Sequence, residues 1–389
     1  MKTKITRRRF IQSAALATSG LTLESNLFAA KTKTASEAFS FVLLGDLHLD
    51  KLEHHDLDHL RKSDAKQLPQ IERYSRITSE VTPKLFSTLQ KTITDLNKNS
   101  ATHAAFTIQV GDFVEGVCTS PELSKQHFDY ALNFVRESKL ATPFLFTKGN
   151  HEINSPGSIN LYQSDFFPFL SEQIRAVTKR EENLQKAYFT VSQGNALFIF
   201  FDAYDKHDCL DWMESVLAKR TEQHVFVVIH TPVVPYGARA AWHIFASAPE
   251  VVRRNRLLNL LGKHKAIVLS GHLHKFSSMV RETKEGNFFQ LALHSVISSE
   301  DMKSETTLLG VENYTVKQLE LESDYHPESK ELRRELIEAE KPFVKHFEYT
   351  DLPGYAVLTV NKAKVEAKMY SGTNQKLWKT IDISALLAA

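Results

Sequence analysis

The sequence predicts an α/β protein with a largely parallel sheet. Near-continuous apolar runs of strand length recur along the chain, and stretches with apolar residues at helical spacing separate them. Several of the runs end directly in polar, glycine-containing turns, where parallel α/β sheets carry their functional loops.

In chain order, residues 1–30 stand apart from the fold. Thr6-Arg7-Arg8-Arg9-Phe10-Ile11-Gln12 resembles the twin-arginine export signal, with Lys2 and Lys4 adding to its basic start. The apolar stretch 13–23 is diluted by Thr18, Ser19, Gly20 and Thr22, too short and too polar for a stable membrane span. These features predict a signal peptide, cleavage near Ala30, a partner in the twin-arginine export machinery and a periplasmic or otherwise exported product. Removing this segment takes away five Lys/Arg and Glu24, so a chain of net charge +2 leaves a mature part near −2. That gives no overall basic field for nucleic acid, and none is expected as a partner.

The remainder, 38–389, reads as a single domain with its motif-bearing core at 40–295. Strands are predicted at 41–44, 104–110, 143–146, 196–201, 225–229 and 266–269, each apolar enough to be buried on both faces. Helices are predicted at 76–97, 128–140, 210–220 and 251–261 from spacings of three and four. Two stretches break the alternation. Residues 51–75 are strongly polar and read as a solvated loop or pocket rim, while 322–347 are charged and helical around 332–339, a surface insertion. Turn signals at Pro353-Gly354 and Ser371-Gly372 frame a closing meander of strands at 354–360, 364–370 and 377–383. Cys118 and Cys209 are expected as separate buried thiols, and two cysteines cannot build a thiolate cage, so any metal must use His, Asp and Asn.

Five segments put such residues just after predicted strands: Gly45-Asp46-Leu47-His48, Gly111-Asp112, Gly149-Asn150-His151-Glu152, His230 before Thr231-Pro232, and Gly271-His272-Leu273-His274. One alone is the composition of a helix cap or turn. Five at the same end of successive strands converge on one sheet edge if the strands are parallel. Carboxylate oxygen and imidazole nitrogen suit iron, manganese, zinc or cobalt better than calcium or magnesium. Two such ions can clamp the attacking and leaving oxygens of an in-line displacement and lower the pKa of bound water, so that hydroxide exists near neutral pH.

In their order these motifs resemble the calcineurin-like metallophosphoesterase superfamily over roughly residues 40–295. The resemblance implies a double β-sheet sandwich flanked by helices, a four-layer α/β/β/α arrangement, with a binuclear centre at the sheet edge. It implies hydrolysis of phosphate mono- or diesters of small molecules. Asp46, His48 and His274 would hold one metal, Asp112 would bridge, and Asn150, His230 and His272 would hold the other. His151 would face the leaving oxygen as a general acid or phosphate ligand. Purple acid phosphatases have a tyrosine at the position of Glu115, and serine/threonine phosphatases have Asp-Arg-Gly where this chain has Glu115-Gly116-Val117. Both subfamilies are thereby disfavoured. A nuclease-type phosphodiesterase and a non-catalytic metal-dependent binding protein stand as alternatives.

Other residues have two readings each. Glu115 contacts substrate or accepts hydrogen bonds from its own loop. Asp202 supports the site or begins a helix. Arg239 grips phosphate or is a solvated charge. The run His54-His55-Asp56 with Asp58-His59 looks like a second metal site but reads as part of the solvated 51–75 loop, and His294 as a hydrogen-bonded core residue.

Overall fold

The computed structural model describes residues 38–321 and 330–389; the signal-like segment 1–30 and residues 322–329 lie outside the described residues. The strands are β1 (Phe39–Leu44), β2 (Ala104–Gln109), β3 (Phe144–Phe146), β4 (Phe189–Gln193), β5 (Ala196–Phe201), β6 (His224–Ile229), β7 (Ile267–Ser270), β8 (Phe276–Thr283), β9 (Gly286–Ala292), β10 (Thr307–Leu309), β11 (Val344–Thr350), β12 (Gly354–Val360), β13 (Val365–Ser371) and β14 (Lys376–Asp382). The helices are α1 (Leu57–Ser63), α2 (Leu68–Glu80), α3 (Thr82–Asn97), α4 (Pro121–Ser138), α5 (His151–Asn154), α6 (Ser158–Leu161), α7 (Phe167–Thr178), α8 (Lys206–Leu217), α9 (Val251–Lys263), α10 (Lys330–Glu340) and α11 (Ile383–Ala388).

Two mixed sheets result, ordered β14-β13-β12-β1-β2-β3 and β10-β11-β8-β9-β7-β6-β5-β4. In the first, β1, β2 and β3 are parallel, while β12 returns antiparallel against β1 with Phe39 opposite Val360. The C-terminal meander therefore completes the sheet that the first strand began. In the second, β5, β6, β7 and β9 are parallel neighbours and β4 and β8 flank them antiparallel.

Strand periodicity explains the continuous apolar runs, because alternate side chains leave a sheet on opposite faces. Phe198 and Phe200 of β5 join one core and Leu197, Ile199 and Phe201 the other. Between the sheets, Phe41 meets Phe198 and Phe226 edge-on, with ring centroids 5.2 and 5.4 Å apart. On the outer faces, α3, α4 and α7 supply Leu89, Phe128 and Leu170 to the first core, and α8 and α9 supply Met213 and Leu261 to the second.

The double-sheet sandwich flanked by helices is what the chain forms, but the sheets are mixed rather than largely parallel. The antiparallel members β8, β10 and β11 escape the apolar-run criterion because polar residues such as Ser277, Ser278 and Glu348 interrupt them. The helix expected at 76–97 is two helices, since Pro83 in the first turn of α3 has no N–H to continue α2, and the Thr82 hydroxyl donates to the Ile77 carbonyl at 3.1 Å. Residues 51–75 are not a solvated loop. They form α1 and the start of α2, with Leu60, Ile71 and Tyr74 buried. Among the described residues no helix is long and apolar enough to cross a membrane.

Candidate metal centre

The loops after β1, β2, β3, β6 and β7 meet at one edge. Three leave the first sheet and two the second, so the cluster spans both sheets rather than one. The first two loops run side by side: the Leu47 and His48 amides both donate to the Asp112 carbonyl at 3.0 Å, and Leu49 donates to Phe113 at 3.0 Å. His48, Asp112, His272 and His274 have φ of 46, 52, 74 and 52°, in the left-handed region that costs a side-chain-bearing residue about 1 kcal/mol or more. Gly149 has no room for a side chain, because a Cβ there would lie 2.2 Å from Asp112 Oδ1.

Asp46, His48, Asp112 and His274 each offer a ligand atom, all within 4.8 Å of one another, and Asp112, His230 and His272 form a second such group. Asp112 belongs to both. His230 Nε2 lies 3.1 Å from Asp112 Oδ2, 3.1 Å from His272 Nδ1 and 3.3 Å from Asn150 Oδ1. His48 Nε2 lies 2.9 Å from His274 Nε2 and 3.8 Å from Asp112 Oδ2. His151 Nε2 stands 3.9 Å from Asp112 Oδ2, its Nδ1 donates to the Glu115 carbonyl, and its amide donates to Asp112 Oδ1 at 3.1 Å. The structure thus brings all eight of these sequence-singled residues together.

The outer ring of contacts fixes the imidazoles. His230 Nδ1–H donates to the Val110 carbonyl at 2.9 Å, turning Nε2 toward the cluster. His48 Nδ1 stands 2.8 Å from Glu115 Oε2, an ion-pair contact off the line of a hydrogen bond, and its ring stacks on Tyr74 at 4.6 Å. Burial pushes the Asp46 carboxyl up to about 6 against the pull of His230. Burial also acts on Asp112, but His230, His151 and His48 together hold it well below the ordinary carboxylate range. Against burial, Glu115 raises His48 to about 9 and Asp112 raises His230 to about 9, while burial takes His272 down to about 2. Two buried carboxylates call for positive charge, which bound metal would supply in place of protons on His48 and His230. With this donor set of carboxylate oxygens and imidazole nitrogens, the residues fit metal.

Three further residues lie around the cluster. Glu115 is fully buried and serves His48 and Gln70 (Nε2 to Oε1, 2.5 Å) rather than its own loop. Asp202 pairs with Lys148 at 2.5 Å and accepts the Tyr204 amide at 2.9 Å, outside both ligand groups. His294 is buried with neither ring nitrogen hydrogen-bonded, and its ring lies parallel to that of His274, 6.3 Å away. Arg239 lines the cavity over the cluster, about 370 Å³, together with Arg73 and Tyr74 of α2. His54 and His55 are buried and do not line it. Cys118 and Cys209 are separate buried thiols.

Sequence reasoning passed over Glu152, although it closes the Gly149-Asn150-His151-Glu152 motif. Its carboxylate accepts four amides: Asp112 at 3.1 Å, Phe113 at 2.7 Å, Val114 at 3.1 Å and Gly149 at 2.5 Å. Gln109 was also missed; it ties Gly45 and Gly111 together through its amide, and a lone glutamine in an apolar strand was the available signal.

A two-sheet α/β fold with an Asp, Asn and His cluster at its strand ends defines a metal-binding class. The sequence model of the calcineurin-like phosphoesterase family matches residues 39–276, so the chain belongs to that family. A purple acid phosphatase from yellow lupin (Lupinus luteus) seeds has a similar fold, with a TM-score of 0.50 and 10% identity over 90% of this chain and 54% of that one. The chain therefore spans about half the length of that enzyme. A dimetal phosphatase from Danio rerio aligns with a TM-score of 0.48 and 15% identity over 89% of this chain and 98% of that one. No curated protein sequence matches the chain significantly.

Proposed function

We propose that the chain hydrolyses phosphate mono- or diesters at a binuclear centre of iron, manganese or zinc. The observation that carries this reading is the Asp112 carboxylate, which belongs at once to the Asp46, His48, His274 group and to the His230, His272 group. In this reading Asp112 bridges, and Asn150 completes the second group. Bound cations would activate water and offset charge on the phosphoryl oxygens. The chain's own part is to hold that geometry and to move a proton. His151, with its Nδ1–H donated to the Glu115 carbonyl, turns Nε2 into the cavity, where the ring, when protonated on both nitrogens, would give the Nε2 proton to the leaving oxygen.

The cavity continues into a second one of about 330 Å³, sharing Arg73, Arg239 and His274. Lys275 and Lys303 add positive charge there against Glu305 and Asp351. That excess supports small-molecule substrates bearing another anionic group beside the scissile phosphate. The twin-arginine motif supports export of the folded protein to the periplasm, a reading that normal export of an Arg7→Lys/Arg8→Lys variant would refute.

The test is metal content with turnover of bis(4-nitrophenyl) phosphate. At least two ions per chain, chelator-sensitive activity restored by manganese, and a loss of several orders of magnitude in Asp112→Asn are expected, since an amide bridges two cations poorly. Asp112→Asn activity within about tenfold of the native protein overturns the binuclear reading.

A further inference from the structure

A second group of ligating side chains lies outside the catalytic cavity. Asp50, His54 and His127 are all buried, and each offers a ligand atom within 4.8 Å of the others. None lines the cavity over the Asp112 cluster. They come from three separate pieces of the fold. Asp50 ends the loop that carries His48, His54 sits in the short turn Leu52–His54, and His127 belongs to α4.

Most of the surrounding polar atoms are spoken for. His55 Nε2 donates to Asp50 Oδ1 at 2.7 Å, and its Nδ1 lies 2.8 Å from the Val117 carbonyl. His127 Nε2 lies 2.6 Å from the Leu49 carbonyl and 3.5 Å from Asp50 Oδ1, and its Nδ1 meets Cys118 Sγ at 3.3 Å. The His54 ring rests against those of His127 and Tyr130, with centroids 5.0 and 5.4 Å away. Two atoms are left over. Asp50 Oδ2 and His54 Nδ1 are buried without any hydrogen-bond partner.

An orphaned buried polar atom is rare in a native interior, and two in one three-residue cluster ask for a shared partner. A carboxylate and two imidazoles are a donor set for a borderline divalent ion of the zinc class; on binding it His127 Nε2 would release the proton it now holds against the Leu49 carbonyl, and the ion would meet both orphaned atoms. We propose that Asp50, His54 and His127 bind a third, structural divalent metal ion. The ion ties the His48 loop and the 52–54 turn to α4, behind the catalytic centre. This site does not depend on the binuclear reading, because it shares no residue with it.

The test counts metal in the full-length protein after zinc loading and removal of loosely held ions. His54→Phe keeps a ring against His127 and Tyr130 but removes both nitrogens. The native protein is expected to hold one ion more per chain than His54→Phe. Asp112→Asn is expected to hold one ion more than the double variant Asp112→Asn/His54→Phe, and zinc is expected to raise the melting temperature of the first by several degrees and leave the second unchanged. Equal counts in both pairs overturn the site and leave an ordered water as the partner of the two orphaned atoms. If His54→Phe fails to fold, Asp50→Asn replaces it in the same comparison. An Asp50→Asn protein with the native metal count refutes the proposal equally.

Discussion

Replacing Glu152 by glutamine tests how the candidate centre is held. The carboxylate is wholly buried, and burial followed by the charge of Asp112 raises its pKa. Its Oε1 takes the amides of Phe113 and Val114, and its Oε2 those of Asp112 and Gly149. A glutamine has one carbonyl oxygen, so whichever way the amide turns, two backbone N–H groups face an NH₂ instead of an acceptor. Hydrogen bonds to a charged group contribute about 1.5–3 kcal/mol each, so losing two removes roughly 3–6 kcal/mol. For a chain of this size, that corresponds to a drop in melting temperature of roughly 4–8 °C. Thermal unfolding of the chelator-treated protein measures it without the contribution of bound metal. Because the same carboxylate fixes the backbone at Asp112, metal content should fall as well. A melting temperature within about 2 °C of the native protein, with metal content unchanged, would show that this carboxylate does not hold the loop.

Two further outcomes follow from the cavity. His151→Gln should keep its metal but turn over roughly 10²–10⁴-fold more slowly on esters whose leaving oxygen needs a proton, with a smaller defect on nitrophenyl esters; equal losses across leaving groups would reduce His151 to a positioning residue. Lys275→Gln/Lys303→Gln should raise KM roughly tenfold for a phosphoester with a second anionic group and much less for one with a neutral remainder, by loss of about 1.4 kcal/mol of charge attraction; equal KM changes on both would detach the second cavity from substrate binding.

The parts of this site that were legible in the sequence are those in which chemistry and position coincide. Asp46, His48, Asp112, Asn150, His151, His230, His272 and His274 stand within three residues of a glycine or proline at the ends of apolar runs, and both features survive in a one-dimensional reading. The six strands read from apolar runs appear within one or two residues because they are buried on both faces. Strands with one polar face, such as β8 and β11, give only a weak alternating signal. At 51–75 the rim reading holds, since Gln70, Arg73 and Tyr74 line the cavity, but the solvated-loop reading fails for a related reason. Polar residues dominate the composition of this stretch, yet Leu60, Ile71 and Tyr74 fall on one face of successive helices and carry it into the core. His54 and His55 are buried with it, which no count of charged residues reveals.

What the sequence could not show is how much of the centre is backbone. Four of the seven candidate metal ligands sit at positive φ, and none of them is glycine. Left-handed backbone at a histidine or aspartate persists only where the surroundings over-determine it. Here the surroundings do so with named contacts: the paired amides of Leu47 and His48 on the Asp112 carbonyl, the four amides on Glu152, the His272 amide on Asp46 at 2.9 Å, and Ser295 joining the Gly45 amide to the Gly354 carbonyl at 2.9 and 2.7 Å. The last of these reaches from the first strand's loop to the C-terminal meander, well beyond the family-matched region. The strands after residue 353 are therefore part of the apparatus that positions Asp46, and the strain at the ligands is balanced by hydrogen bonds drawn from nearly the whole length of the folded chain.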